Sequence, residues 1–540
     1  MKRLVLLINI FCLAFFCQAQ APEDNIKIKK GFIQLNSPLY YDVEMSGVFK
    51  DSKLFPDAVP KYPPAVINKL YDSLRTLPDF DLRDFVYSRF ALPDSFERKN
   101  PENKGLSMDE HIRILWSYLE RPADKAAEGS TLLPLKYPYI VPGGRFREVY
   151  YWDSFFTMLG LLADGKEETA GNMIKNFAYL IDNYGFIPNG NRVYYLTRSQ
   201  PPFFALMIDL MCRYKNDYNW GIRFLPELKK EYSFWMNSNQ KPDEHRRADR
   251  HVVAVDRENV LNRYFDMDSV PREESYREDR LLSEKIDNNL RSRFFRDIRS
   301  AAESGWDFSS RWFRDSKNLT TIETTAILPV DLNCLLYFLE DRLALFCRLN
   351  GESKEAANYV EKAAKRKELI NKYFWNNEKG YYFDFNWEAK KQKAVFSMAG
   401  IYPLYFGIAS PAQARRAVRN LSAKLLCPGG LTATEILTSQ QWDSPNGWPP
   451  LQWMAVKALR EYGFNKLADT IKSRWLKVNL AVFNRTGRMV EKYNVKDLSL
   501  FAGGGEYKLQ DGFGWTNGVA EALLNDFDKK YIFKSAENKK

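Results

Sequence analysis

LNCLLYFLEDRLALFCRLNGESKEAANYVEKAAKRKELINKY, Leu332–Tyr373, is the stretch that decides the fold. Apolar side chains recur in it at three- and four-residue spacing, which predicts helices over Leu332–Leu349 and Lys354–Tyr373. Between them Gly351 can take the left-handed conformation that closes a helix, and Ala356, five residues on, lets the next helix pack closely. The same Gly-to-Ala spacing returns at Gly165/Ala170 and Gly463/Ala468. Helical spacing also marks Asp153–Ala163, Glu167–Asn183, Pro411–Leu426, Leu451–Tyr462 and Asn465–Leu476. Strand-like alternation is brief, at His251–Val255 and Gly380–Phe385. Segments rich in Gly, Pro or Trp separate the hairpins, among them Gly185–Arg192, Ser304–Trp312, Cys427–Thr434 and Phe501–Gly514. Tight turns at one end and long loops at the other describe an all-α toroid with its site on the loop side.

The chain has 540 residues, and 27% are charged, ordinary for a soluble protein. Its first residues read as an export signal over residues 1–19. Lys2 and Arg3 precede an apolar run, Leu4–Cys17, and Gln18–Ala21 offers small residues for cleavage. The run is short for a membrane span, and bulky Phe15 and Phe16 argue against a lipid anchor at Cys17. The expected destination is the periplasm or the exterior, without membrane attachment. The formal charge is +11, two less once Lys2 and Arg3 leave. Its charges are interspersed, as in KPDEHRRADR (Lys241–Arg250), so no nucleic-acid partner is expected. Lys241–Glu284 is dense in charge and reads equally as an exposed lid or as a substrate-contacting loop. The Lys-rich end, 529–540, is expected to fray. Cys212, Cys334, Cys347 and Cys427 read as buried thiols, with one disulfide open in an oxidising compartment.

Several chemistries fall away. His111, His245 and His251 have no metal-ligand spacing, no Ser sits in a GxSxG elbow, and Gly503–Gly505 lacks the Lys–Ser/Thr of a phosphate loop. Carboxylates remain. Trp152–Asp153, Trp306–Asp307 and Trp442–Asp443 pair an indole face, which stacks on a sugar ring, with an acceptor for its hydroxyls. Asp153, Asp307, Asp443, Glu491, Glu506 and Asp511 are the candidates, all next to or near Gly, Trp or Tyr and at or close to loops. Gly305, Trp306 and Phe308 make an apolar setting that favours a protonated Asp307. Arg485, Arg488 and Lys492 favour an ionised Glu491.

These strings carry a family resemblance. PGGRFREVYYWDS (Pro142–Ser154) and QWDSPNGWPP (Gln441–Pro450) resemble the two signatures of the trehalases. IPNGNR (Ile187–Arg192), TRSQPP (Thr197–Pro202), ESGWDFSSRW (Glu303–Trp312), EKYNV (Glu491–Val495) and GGGEYKLQDGFGWTNGV (Gly503–Val519) follow in the family's order. The resemblance runs from about Lys30 to Leu524. It implies one catalytic (α/α)6 barrel over residues 20–528 that splits α,α-trehalose with inversion and needs no metal or organic cofactor; a monomer is expected. Asp307 would be the general acid and Glu491 the general base. Arg145, Trp152, Asp153, Asn189, Arg198, Ser199, Gln200, Gly305 and Glu506 would bind the sugar, with Trp442 and Trp448 closing the site. PREESYRED (Pro271–Asp279) is similar to the family's RPES segment and gives Arg272 and Glu274 as ligands, although Glu273 stands where the family has Pro. Three rivals stay open: an inverting disaccharide phosphorylase, a sugar-binding protein without turnover, and a polysaccharide lyase.

Overall fold

The computed structural model describes residues 37–530 except 94–104, 239–241, 244–246 and 507, together with Asn25, Lys29 and Leu35. The export segment and residues 531–540 lie outside the described residues. Lys529 and Lys530 end a short helix, Phe527–Lys530.

Each expected hairpin forms. Tyr151–Ala163 turns at Gly165 into Glu167–Tyr184, Val330–Leu349 turns at Gly351 into Ser353–Tyr373, and Pro449–Glu461 turns at Gly463 into Asn465–Thr486. The three glycines have φ of +73°, +80° and +76°. After each, the next N–H reaches back over the turn, Lys166 to the Leu161 carbonyl at 2.7 Å, Glu352 to Cys347 at 2.8 Å and Phe464 to Leu459 at 2.9 Å. That bond satisfies a carbonyl the helix end leaves open. Ala170, Ala356 and Ala468 are buried. The last helix runs ten residues past the expected Leu476, to Gly487 at φ +68°.

Three further helices end alike. Phe204–Lys215 closes at Asn216 (φ +51°), where the Asp217 N–H donates to Cys212 O at 2.9 Å. Tyr402–Tyr405, led in by the 3-10 turn Met398–Ile401, closes at Gly407 (φ +64°), where Ile408 donates to Pro403 O at 2.8 Å. Gly514–Leu524 is followed by Asp526 at φ +54°. These six are the inner helices. Each touches the next in chain order, and the sixth returns to the first. Glu167–Tyr184, Leu225–Met236, Ser353–Tyr373, Pro411–Lys424 and Asn465–Thr486 lie outside them, and Met108–Leu119 packs on the sixth inner helix. The result is a closed (α/α)6 barrel. Its tightest seam joins the first and sixth inner helices, where a Cβ on Gly160 would stand 2.6 Å from Gly518 Cα, and one on Gly518 2.1 Å from the Phe156 carbonyl oxygen.

The strands are short and antiparallel. His251–Val255 yields Val252–Ala254, the centre of a three-stranded sheet with Ala248–Asp249 and Val260–Asn262. Gly380–Phe385 divides between two sheets, Tyr381–Tyr382 pairing with Trp375–Asn376 and Phe385–Asn386 with Ile327–Leu328 and Lys391–Gln392. The described part of 241–284 is not an exposed lid. Its charges are neutralised inside the protein: Asp266 meets Arg299 at 2.9 Å and Arg198 at 3.4 Å, and Arg272 meets Asp279 at 2.7 Å. Residues 37–93 form a second apolar cluster that reaches Tyr150, Tyr194 and Tyr195 at the barrel mouth. The four cysteines are buried and unbonded to one another. Among the described residues no helix is long and apolar enough to cross a membrane.

Candidate active site

The loops before the inner helices meet over a cavity of about 650 Å³, counted out to its open mouth. That size suits a small ligand. Arg145, Trp152, Asp153, Asn189, Arg198, Gln200, Arg272, Glu274, Gly305, Asp307, Glu491 and Glu506 all line it, with Trp442 and Trp448. Ser199 does not. Its hydroxyl donates to the Ile187 carbonyl at 2.7 Å and its N–H to Glu303 Oε1 at 2.9 Å, so it holds the loop that carries Arg198 and Gln200. Glu303 also accepts from the Phe265 N–H at 2.6 Å and lies 3.1 Å from His251 Nε2, which gives that histidine a structural partner.

The third Trp–Asp pair behaves differently from the first two. Asp443 is fully buried and accepts hydrogen bonds from Ser309 Oγ, the Ser310 N–H and Oγ, Thr434 Oγ1 and Thr438 Oγ1, at 2.6–3.0 Å. It staples the loop behind Asp307. Asp511 faces the wider funnel outside, 3.5 Å from Arg488.

An indole wall forms one side. Trp442 and Trp448 stack at 3.9 Å with planes 1° apart, Trp306 lies on Trp442 at 5.1 Å, and Trp152 and Trp515 meet this group at 5.6–6.2 Å. Gly305, at φ +72°, passes so close that a Cβ there would sit 2.7 Å from Trp152 Cε2. Only glycine fits both that φ and that space.

A charged lattice lines the rest of the cavity. Arg198 donates to Glu274 Oε1 at 2.6 Å and to Asn189 Oδ1 at 2.9 Å. Arg272 grips Asp279 with two nitrogens, at 2.7 and 3.0 Å, and reaches Glu506 Oε1 at 2.8 Å. Arg145 donates to Asp51 at 2.8 Å and to the Glu274 carbonyl at 3.2 Å. Burial alone would raise the Glu274 pKa, but the guanidiniums of Arg198, Arg272 and Arg299 outweigh it and hold the carboxyl at about 2. Its other oxygen, Oε2, is buried with no hydrogen-bond partner. A sugar hydroxyl would supply one.

Two carboxyls stand in contrasting surroundings. Asp307 presents a partly exposed side chain to the cavity, yet the surrounding protein withholds most of its hydration. Its pKa is pushed up to about 7 by that desolvation and by the charge of Glu506, against Arg272 and Arg198. Glu491 is buried and accepts from the Lys492 ammonium at 2.9 Å. Its backbone is fixed by Trp515 Nε1, which donates to the Glu491 carbonyl at 3.0 Å. Asp153, in the first turn of the first inner helix, is raised well above the carboxylate range by burial and then by the charges of Glu491 and Asp307. Asp153 therefore senses both of the other two acids.

Tyr150, Tyr195, Phe146, Phe513 and Trp515 also line the site; all but Tyr195 lie in the strings quoted above, although none is singled out there. Asp279, the main partner of Arg272, could have been read from PREESYRED, where it follows Arg272 by seven residues. Among the described residues one group could hold a metal ion, Cys347, Glu352 and Glu355. It sits at the tight-turn end, and the Lys229 ammonium already pairs with both carboxylates, at 2.5 and 2.6 Å.

A family model described as trehalase matches residues 47–528. The chain is 46% identical to a periplasmic trehalase of Pseudomonas aeruginosa over 488 residues, which covers 90% of this chain and 88% of that protein. It is 45% identical to a periplasmic trehalase of Citrobacter koseri, over 91% of this chain and 86% of that one. Among solved structures it is similar to the neutral trehalase of Saccharomyces cerevisiae, with a TM-score of 0.60 and 30% identity over 72% of this chain and 73% of the other. A mannosylglycerate hydrolase from Thermus thermophilus, solved with glucose, shares the fold at a TM-score of 0.51 and 17% identity, over 77% of this chain and all of that one.

Proposed function

The chain belongs to the trehalase family, and from that membership we propose that it is an exported, periplasmic trehalase that cleaves α,α-trehalose in one inverting step. Asp307 is the general acid and Glu491 the general base. The observation that carries this reading is the contrast between two carboxyls on one cavity. Asp307, with its pKa pushed up to about 7, keeps its proton on about half of the molecules at neutral pH, while Glu491 faces an ammonium 2.9 Å away.

The chemistry follows. The glycosidic oxygen leaves poorly as an alkoxide, so Asp307 delivers its proton as the bond breaks. Glu491 takes a proton from a water that attacks the same anomeric carbon from the other face. Inversion needs room for that water, so the carboxyls should stand about 6.5–9.5 Å apart with substrate bound. The products are one α- and one β-glucose. Arg145, Arg198 and Arg272 act as fixed donors to hydroxyls, Glu274 and Glu506 as acceptors, and the indole wall as the face on which a glucose ring stacks. Asp153 lies within electrostatic reach of both reacting carboxyls, Asn189 and Gln200 brace Arg198 and Trp152, and Ser199 acts only through its loop. This reading takes residues 20–528 as one catalytic domain working as a monomer, with no metal or cofactor.

α-Glucosyl fluoride tests the roles separately, because fluoride leaves with little help from an acid. Asp307→Asn should lose about 10²–10⁴-fold on trehalose but keep most of its rate on the fluoride. Glu491→Gln should lose both. A Glu491→Gln enzyme that still hydrolyses the fluoride at the wild-type rate would overturn the base assignment. Sugar release that requires added phosphate would replace hydrolysis with phosphorolysis.

A further inference from the structure

A chain of hydrogen bonds joins Glu491 to Asp307 beside Trp448. Lys492 Nζ donates to Glu491 Oε2 at 2.9 Å and to Gln441 Oε1 at 2.9 Å. The amide nitrogen of Gln441 donates to the backbone carbonyl of Asp307 at 2.5 Å. Lys492 is 1% exposed and Gln441 2%. The ammonium also lies 5.0 Å from the centre of the Trp448 ring, whose indole N–H donates to the Gln441 carbonyl at 2.9 Å. Gly505 closes over Gln441, for a Cβ there would stand 2.8 Å from its Oε1.

An ammonium buried to this degree is costly unless it is paired and hydrogen-bonded. Helix and barrel packing do not account for it: Lys492 lies outside every helix, beside the bridge between Asn446–Gly447 and Tyr493–Asn494. What it joins is the loop carrying Glu491 to the loop carrying Asp307, through one glutamine.

We propose that Lys492 and Gln441 are positioning residues that together set the aim and spacing of the two reacting carboxyls. Lys492 fixes one oxygen of Glu491, and so the direction from which the carboxylate meets the attacking water. Gln441 carries that constraint to the peptide of Asp307, so the acid and base loops move as one unit. A displacement of about 1 Å between reacting groups can cost on the order of 100-fold in rate, which gives such a cross-link a function beyond stability. This inference rests on the acid–base assignment above.

The test uses the full-length enzyme with trehalose and α-glucosyl fluoride. Lys492→Met keeps the side chain's length and removes its charge. Its kcat should fall about 10- to 100-fold, the worth of a charge-assisted hydrogen bond, by the same factor on both substrates, because the base serves both. KM should stay within about twofold, since ground-state binding is untouched. Lys492→Arg should recover part of the loss. Gln441→Met should cost more on trehalose than on the fluoride, because it releases the acid as well. Circular dichroism checks folding, and if Lys492→Met does not fold, Lys492→Arg and Gln441→Met decide. Unchanged kcat, a loss confined to KM, or a loss confined to trehalose in Lys492→Met would overturn the proposal. The acid–base reading fails by a separate sign, survival of fluoride hydrolysis in Glu491→Gln.

Discussion

Replacing Gly305 by alanine probes the site through one methyl group. Gly305 has φ +72°, and a Cβ would lie 2.7 Å from Trp152 Cε2 and 2.8 Å from its Nε1. Carbon atoms prefer about 3.5–4.0 Å, so the indole or the loop must move by roughly 1 Å. The backbone term costs about 1–2 kcal/mol for a left-handed non-glycine residue, and the overlap about 1–3 kcal/mol more. Gly351 is the control. It has φ +80° with nothing within 4 Å of a Cβ, so Gly351→Ala pays the backbone term alone. Unfolding entropy of about 2.1 cal/mol/K per residue, over roughly 500 residues, gives close to 1 °C of Tm per kcal/mol. Gly351→Ala should melt about 1–2 °C low with full activity, and Gly305→Ala about 2–5 °C low. Because Asp307 follows two residues on, Gly305→Ala should also lose about 100-fold in kcat on trehalose. Scanning calorimetry and initial rates measure both. Equal melting shifts with both activities intact would refute the reasoning.

Two other outcomes follow from charge. If Asp307 must be protonated to act, kcat/KM on trehalose should decline as pH rises through about 7. Glu506 helps raise that value, so Glu506→Gln should move the decline to lower pH even as its rate falls; an unmoved limb would remove Asp307 from it. Glu274 is held at about 2, below its unfolded value near 4.5, so its contribution is present above pH 4.5 and vanishes as pH falls toward 2. That gap is worth about 3 kcal/mol. The stability difference between the native enzyme and Glu274→Gln in urea should therefore shrink between pH 6 and pH 3, and a constant difference would contradict it.

The barrel was legible where a single residue type announces the turn. Gly165, Gly351 and Gly463 each close an inner helix, and the sequence marks each with a buried alanine five positions on. Asn216 and Asp526 make the same left-handed turn without glycine, because their short polar side chains tolerate it, and nothing in the letters separates them from surface residues. The run from Leu476 to Thr486 was missed although Gly487 ends it. Chain neighbours offer six candidate acids, the family resemblance singles out Asp307 and Glu491, and the cavity is lined by both. Asp443 was indistinguishable from them in sequence, since a Trp–Asp pair does not tell which way the carboxyl turns. The charge-dense stretch around Arg272 reads equally as lid or substrate loop, because the partners that bury it, Arg198, Arg299 and Glu506, lie outside it in the chain.

Each inner helix leaves the loop side and ends at a tight turn, so all six run in one direction. The first begins at Tyr151, the fifth after Trp448 and the sixth after Phe513, and Trp152, Trp448 and Phe513 are residues of the cavity itself. The partial positive ends of these helices thus converge where Asp153, Asp307 and Glu491 crowd together. The ring of backbone dipoles is a permanent counter-charge. It needs no ion, it cannot be titrated, and salt reaches it poorly. It offsets only part of the cost of burying carboxyls there, since Asp153 is still raised well above the usual range and Asp307 to about 7.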